Sequence, residues 1–128
     1  MAKILLVEDD RMSLALVQHH LAKAGHRVIA IDSAERAIEV LDERTPPDVA
    51  VLDLSLPGMD GRTLAEKIRS DDRTREVRVV FLSARVDPER IAEALEMADA
   101  YLTKPFVASA LLATIESLCT KDTQPEGW

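Results

Sequence analysis

The sequence predicts an α/β fold, a parallel sheet with helices packed on both of its faces. Short apolar runs alternate with longer amphipathic segments five times along the 128 residues. Those short runs are continuously apolar, the pattern of strands buried on both faces. Strand–helix alternation then calls for right-handed crossovers, which bring every strand's C-terminal end to one edge.

The first strand is Ile4 to Val7, too short for a helix and closed by the acids Glu8, Asp9 and Asp10. Met12 to Ala24 carries Leu14, Val17 and Leu21 on one helical face, and Gly25 supplies a left-handed stop. Arg27 to Ile31 is the second strand. Asp32-Ser33-Ala34-Glu35 has the look of a capping box, opening a helix with Ala37, Ile38 and Leu41 that Pro46-Pro47 ends. Asp48 to Leu52 is the third strand, and Leu56-Pro57-Gly58 a turn after it. Leu64 and Ile68 share a face of the third helix, and Asp60 is placed to cap it. Val77 to Leu82, rich in β-branched residues, is the fourth strand. Pro88 suits the first turn of a helix running to about Met97. Tyr101-Leu102-Thr103 is a short fifth strand, followed by a helix from Val107 to about Cys119 with Leu111, Leu112 and Ile115. Residues 1–119 make one domain, and residues 120–128 read as a polar tail.

Composition narrows the function. A formal net charge of −7 disfavours direct binding to a phosphate backbone, because such binding draws on clustered Lys and Arg. No apolar run approaches the roughly 20 residues of a membrane span. The apolar run at the N-terminus is too short for a secretory signal, so the cytoplasm is expected. The lone Cys119 cannot form an internal disulfide and reads as a small core residue. His19, His20 and His26 share no spacing with a second ligand set.

Ligands of such sheets bind beyond the strands' C-terminal ends, so polar residues there are the candidates. The first strand ends in Glu8-Asp9-Asp10, the third in Asp53 and the fourth in Ser83, and Lys104-Pro105 follows the fifth. Several carboxylates brought together raise one another's pKa, and a divalent cation relieves that repulsion. Oxygen ligands suit Mg2+, with Mn2+ a substitute. A carboxylate beside a cation and an ammonium is placed to attack phosphorus, giving an acyl phosphate, and Lys104 can contact the phosphoryl oxygens. Ser83 needs only a small movement to reach the new group, an origin for a switch.

The segments ILLVEDD (Ile4 to Asp10), VLDLSLPGMDG (Val51 to Gly61), FLSAR (Phe81 to Arg85) and YLTKPF (Tyr101 to Phe106) together resemble the receiver domains of two-component response regulators, from Lys3 to about Leu118. The resemblance implies a flavodoxin-like, CheY-like (βα)5 fold, doubly wound, with strand order 2-1-3-4-5. It implies Asp53 as phosphoacceptor, Asp9 as a direct metal ligand, Glu8 as a ligand mostly through water, and the Ser55 backbone carbonyl as a further ligand. Ser83 matches the switch hydroxyl, Tyr101 the aromatic rotamer switch, and Lys104 the phosphate partner, with a cis peptide before Pro105. Asp10 lies one place beyond the metal-binding pair and reads as a flank or helix cap.

The implied partners are a histidine kinase or histidine phosphotransfer protein, and a downstream protein engaging the face of helix four, strand five and helix five. Ala100, Ala110 and Thr114 stand where the winged-helix subfamily places ionic dimer partners, so a monomer or weak dimer is expected. The alternatives are a fragment of a larger multidomain regulator and a phosphate-independent interaction module. A magnesium-dependent hydrolase of the haloacid-dehalogenase kind is a rival, but it resembles an Asp-x-Asp arrangement after the first strand, and here those acids are adjacent. No enzymatic turnover is expected beyond self-phosphorylation and dephosphorylation at Asp53.

Overall fold

The computed structural model describes residues 2–56 and 58–122, without the side chains of 120–122. Five strands, β1 (Lys3–Val7), β2 (Arg27–Ile31), β3 (Val49–Asp53), β4 (Arg78–Ser83) and β5 (Ala100–Thr103), form one parallel sheet in the order 2-1-3-4-5. Five helices alternate with them: α1 (Arg11–Lys23), α2 (Ala34–Glu43), α3 (Gly61–Ser70), α4 (Pro88–Leu95) and α5 (Ala108–Asp122). The predicted architecture and strand order are observed.

The period of two in each strand divides the core between the sheet's faces. Leu5, Val7, Ala50, Leu52, Val79 and Phe81 pack toward α2, α3 and α4. Ile4, Leu6, Val49, Val51, Val80 and Leu82 pack toward α1 and α5. Of the helical residues expected to face inward, Val17, Leu21, Ala37, Leu41, Leu64, Ile68, Leu111 and Ile115 are buried, while Leu14, Ile38 and Leu112 are half-buried against the core. No helix among the described residues is long and apolar enough to cross a membrane.

Helix ends follow local chemistry. Asp10 and Asp60 cap α1 and α3 by accepting from the backbone N–H of Ser13 and Thr63, as expected. Gly25, at φ +96°, closes α1: its N–H donates to Ala22 O, and that of His26 to Leu21 O. The expected capping box at α2 is made only in half. Ser33 Oγ accepts from Arg36 N–H, so the third helical position holds Arg36, and Glu35 lies one place too early to reach back. Helix α4 stops at Leu95, two residues before the expected Met97, in a tightened turn where Met97 N–H donates to Ala94 O. Helix α5 runs past Cys119 to Asp122, and residues 123–128 of the expected tail lie outside the described residues.

Two arginines tie down the edge remote from the acids. Arg73 donates to Leu41 O and Arg44 O at 3.0 Å each, satisfying carbonyls at the end of α2. Arg69 donates to the carbonyls of Met97, Arg75 and Val77 and to Asp99 Oδ2. Asp99 Oδ2 also accepts from Val79 N–H at 2.8 Å, so one charged pair joins α3, β4 and the approach to β5. Hydrogen bonds to charged groups contribute about 1.5–3 kcal/mol each when buried, and less here because the pair is part-exposed. Arg69→Ala is expected to lower unfolding free energy by about 2–4 kcal/mol in urea titration. Arg69→Lys should recover less than half of that, because an ammonium cannot fork to four acceptors.

Candidate functional site

β3 and β4 each run one residue further than their apolar stretches predict. Asp53 pairs with Leu82 and Ser83 with Thr103, so both polar residues are the last of their strands and the ladder fixes their backbones. Both are buried, at 7% and 1% exposure. Glu8, directly after β1, is 2% exposed, while Asp9 beside it is open to solvent. One carboxylate oxygen from each of Glu8, Asp9 and Asp53 lies within 4.8 Å of the others. Lys104 reaches in from the end of β5, its Nζ donating to Glu8 Oε1 and, at 3.3 Å, to Asp53 Oδ2. The sequence brought these four residues to one edge; the structure makes Glu8 the closer partner of the lysine.

The loops complete the arrangement with backbone donors. Asp53 Oδ1 accepts from Ser55 N–H at 3.0 Å, and Glu8 Oε2 from Asp10 N–H at 3.1 Å. Lys104 N–H donates to Ser83 O at 2.8 Å, and the peptide from Lys104 to Pro105 is cis, as expected. Ser83 Oγ accepts from Arg85 N–H at 3.1 Å and so does not cap α4. Tyr101, half-buried with its ring tilted over Phe81, donates its hydroxyl to Arg85 O at 2.8 Å. Ser83 and Tyr101 therefore hold the two backbone groups of a single residue.

Burial is the largest influence on Glu8, and its hydrogen bond with Asp53 adds to it. Lys104 offsets only part, so the Glu8 carboxyl is pushed up to about 7. Burial acts to lower the Lys104 pKa, but the hydrogen bond to Glu8 and the charge of Asp53 outweigh it and raise it. Asp10, whose carboxylate accepts from the backbone N–H of Ser13, is held below its ordinary range, as a capping acid should be. The donor set fits a hard divalent cation: three carboxylates from two strand ends, all oxygen, with more negative charge than one lysine neutralises.

Two contributors were not singled out from sequence. Gly61 opens α3 with its N–H on Leu54 O, and a Cβ there would lie 2.1 Å from Asp53 O. Only glycine lets α3 start this close to the strand that carries Asp53. The available signal was a glycine just after a capping aspartate, where a better helix former would otherwise serve. Glu35, displaced from capping, accepts from Met59 N–H at 3.2 Å and ties α2 to the same loop. The three histidines contribute nothing to the acidic cluster. His26 Nδ1 accepts from Ala2 N–H at 3.1 Å, and burial lowers its pKa.

The raised Glu8 carboxyl sets a pH dependence in the metal-free protein. A carboxyl bound more tightly to its proton when folded adds stability that is fully present below the unfolded value of 4.5 and lost as pH rises through about 7. Its size is about 3 kcal/mol at most. Urea titrations between pH 4.5 and 8 without metal should show this fall, and Glu8→Gln should remove it. Added Mg2+ should restore stability chiefly above pH 7, where Glu8 is ionised.

Comparison with known proteins places the chain. The family profile described as "Response regulator receiver domain" matches residues 4–116. The chain is similar to Response regulator protein FleR of Pseudomonas aeruginosa, 41% identical over 112 residues, 87% of this chain and 23% of that protein. Among solved structures, it resembles the signal receiver domain of a signal transduction histidine kinase from Syntrophus aciditrophicus, with TM-score 0.88 and 26% identity over 97% of this chain and 94% of that one. It also resembles chemotaxis response regulator CheY4 of Vibrio cholerae, with TM-score 0.85 and 27% identity over 92% of this chain and 98% of that one. The chain spans from 17% to 54% of the length of the curated relatives it matches.

Proposed function

Because the chain belongs to the family of response regulator receiver domains of two-component systems, we propose that it is a switch charged by phosphorylation of Asp53 in the presence of Mg2+. The convergence of Glu8, Asp9, Asp53 and Lys104 carries this reading. Glu8, Asp9, Asp53 and the Ser55 carbonyl would hold the cation, which when bound supplies positive charge to the phosphoryl oxygens. An Asp53 carboxylate oxygen attacks phosphorus as the bond to the donor's leaving group breaks, leaving an acyl phosphate on Asp53. Lys104, now beside Asp53, is within reach of a phosphoryl oxygen and neutralises the added charge of about −1.5 to −2. Turnover of a free substrate, as in the haloacid-dehalogenase reading, is not part of this role.

Ser83 and Tyr101 give the switch a path outward. The Ser83 hydroxyl retains its own proton for a phosphoryl oxygen. A turn toward that oxygen takes the acceptor away from Arg85 N–H, and the Arg85 carbonyl is what holds the Tyr101 hydroxyl. Val86, Leu95 and Val107 are exposed around α4, β5 and α5, an apolar surface suited to a protein target. Met12 and Leu16, one turn apart on α1 beside the acids, are exposed as well and suit the docking of a phosphate-bearing histidine protein. Thr114 Oγ1 donates to Ala110 O at 2.8 Å, so that stretch of α5 offers no ionic partner, in keeping with a monomer or weak dimer. The net charge of −7 favours proteins over nucleic acid as direct partners.

Intact mass after incubation with acetyl phosphate tests the central step. One phosphoryl group should be gained with Mg2+, and none in Asp53→Asn or in chelator; an unmodified wild-type chain under a panel of donors and kinases would favour the phosphate-independent module instead. Ser83→Ala should still gain the phosphoryl group but lose most of the effect of phosphorylation on target affinity. Unchanged target affinity in phosphorylated Ser83→Ala would remove Ser83 from the switch.

A further inference from the structure

At the sheet edge opposite Asp53, a cavity of about 440 Å3 opens under the end of α2, bordered by the first residues of β1 and β2. Its size lies in the range of small-molecule sites. Lys3 and Arg27 are register partners across β1 and β2, so their side chains leave the same sheet face, the one α2 covers. Arg44, just after α2, adds a third cation to the lining. Among the described residues, no hydrogen bond or ion pair holds any of these three side chains; the nearby Asp48 carboxylate accepts instead from the Lys3 backbone N–H at 2.8 Å. Like charges set side by side on adjacent strands are unfavourable. In a chain with 23 acids against 16 Lys and Arg, three unpaired cations round one cavity stand out, and Glu43 is the one acid in its lining.

Two residues deeper along the strands the lining becomes apolar. Ile29 pairs with Leu5 in the sheet, and Val40 and Leu41 face them from α2. A polar, cationic mouth over an apolar floor matches a molecule with one anionic end and one apolar end. We propose that this cavity binds a small amphipathic anion, a carboxylate or phosphate monoester whose apolar body packs on Ile29, Val40 and Leu41 and whose head is held by Lys3, Arg27 and Arg44. The site is separate from the acidic edge and does not depend on phosphorylation of Asp53.

Decanoate, decyl phosphate and neutral decanol, titrated into the 15N-labelled 128-residue chain, test this. Both anions should give saturable, single-site shifts centred on the amides of Ile29, Val40 and Leu41, with decanol at least fivefold weaker; the tighter of the two anions identifies the head group. The double variant Arg27→Gln with Arg44→Gln should weaken the anions at least fivefold and leave decanol unchanged. Its unfolding midpoint should hold or rise, since a repulsion is removed. Equal binding of decanol and decanoate, shifts scattered over the surface, or a lowered midpoint marking the cations as structural would each overturn the proposal.

Discussion

Lys104 reaches across the sheet edge to the buried carboxylates of Glu8 and Asp53, and burial by itself would drive Glu8 toward its neutral form. Taking such charges out of water is costly, and attraction repays it only where the remaining lone pairs also find donors. Here they do: Ser55 and Asp10 each turn a backbone N–H inward. Even so, Glu8 stays pushed up to about 7. One ammonium is not enough for this many oxygens, and the shortfall is what a divalent cation would meet. The site is thus a place where positive charge is in demand.

The rest of the fold keeps that pocket in shape. α3 begins almost in contact with the Asp53 backbone, which a side chain at Gly61 would forbid. Glu35 reaches from α2 to the loop between them. At the other edge, Arg69 and Arg73 satisfy carbonyls that helix ends and turns leave open, so α2, α3 and β4 are joined by charge-assisted bonds as well as by apolar packing. α4 is the exception. It is eight residues long, has no side-chain cap at its N-terminus and buries only Ala94. A short helix with one buried side chain is the least firmly anchored of the five.

Much of this was legible in advance. The apolar runs located the strands because burial on both faces leaves no room for polar residues, and capping by Asp10 and Asp60 followed from short-range hydrogen bonding. The misses have physical causes. Asp53 and Ser83 belong to their strands because the backbone ladder extends past the last apolar side chain, and hydropathy sees side chains alone. Glu35 looked like half of a capping box because a single-residue offset is hard to see in sequence but moves a side chain about 100° around a helix. Gly61 lacked a role because the atom it must avoid belongs to Asp53, eight residues earlier.

The order of residues alone determined the parallel sheet, its two-faced core and the gathering of Glu8, Asp9, Asp53, Ser83 and Lys104 at one edge. Those follow from hydrophobic periodicity and crossover handedness, which are properties of the chain taken segment by segment. Only the tertiary structure decided that Lys104 binds Glu8 as well as Asp53, that Ser83 and Tyr101 hold the same residue, and that Lys3, Arg27 and Arg44 line one cavity with no ion pair among the described residues. Each of these depends on distances of a few ångströms between strands and helices far apart in sequence. Electrostatic coupling varies with distance and with surrounding dielectric, and both are set by packing.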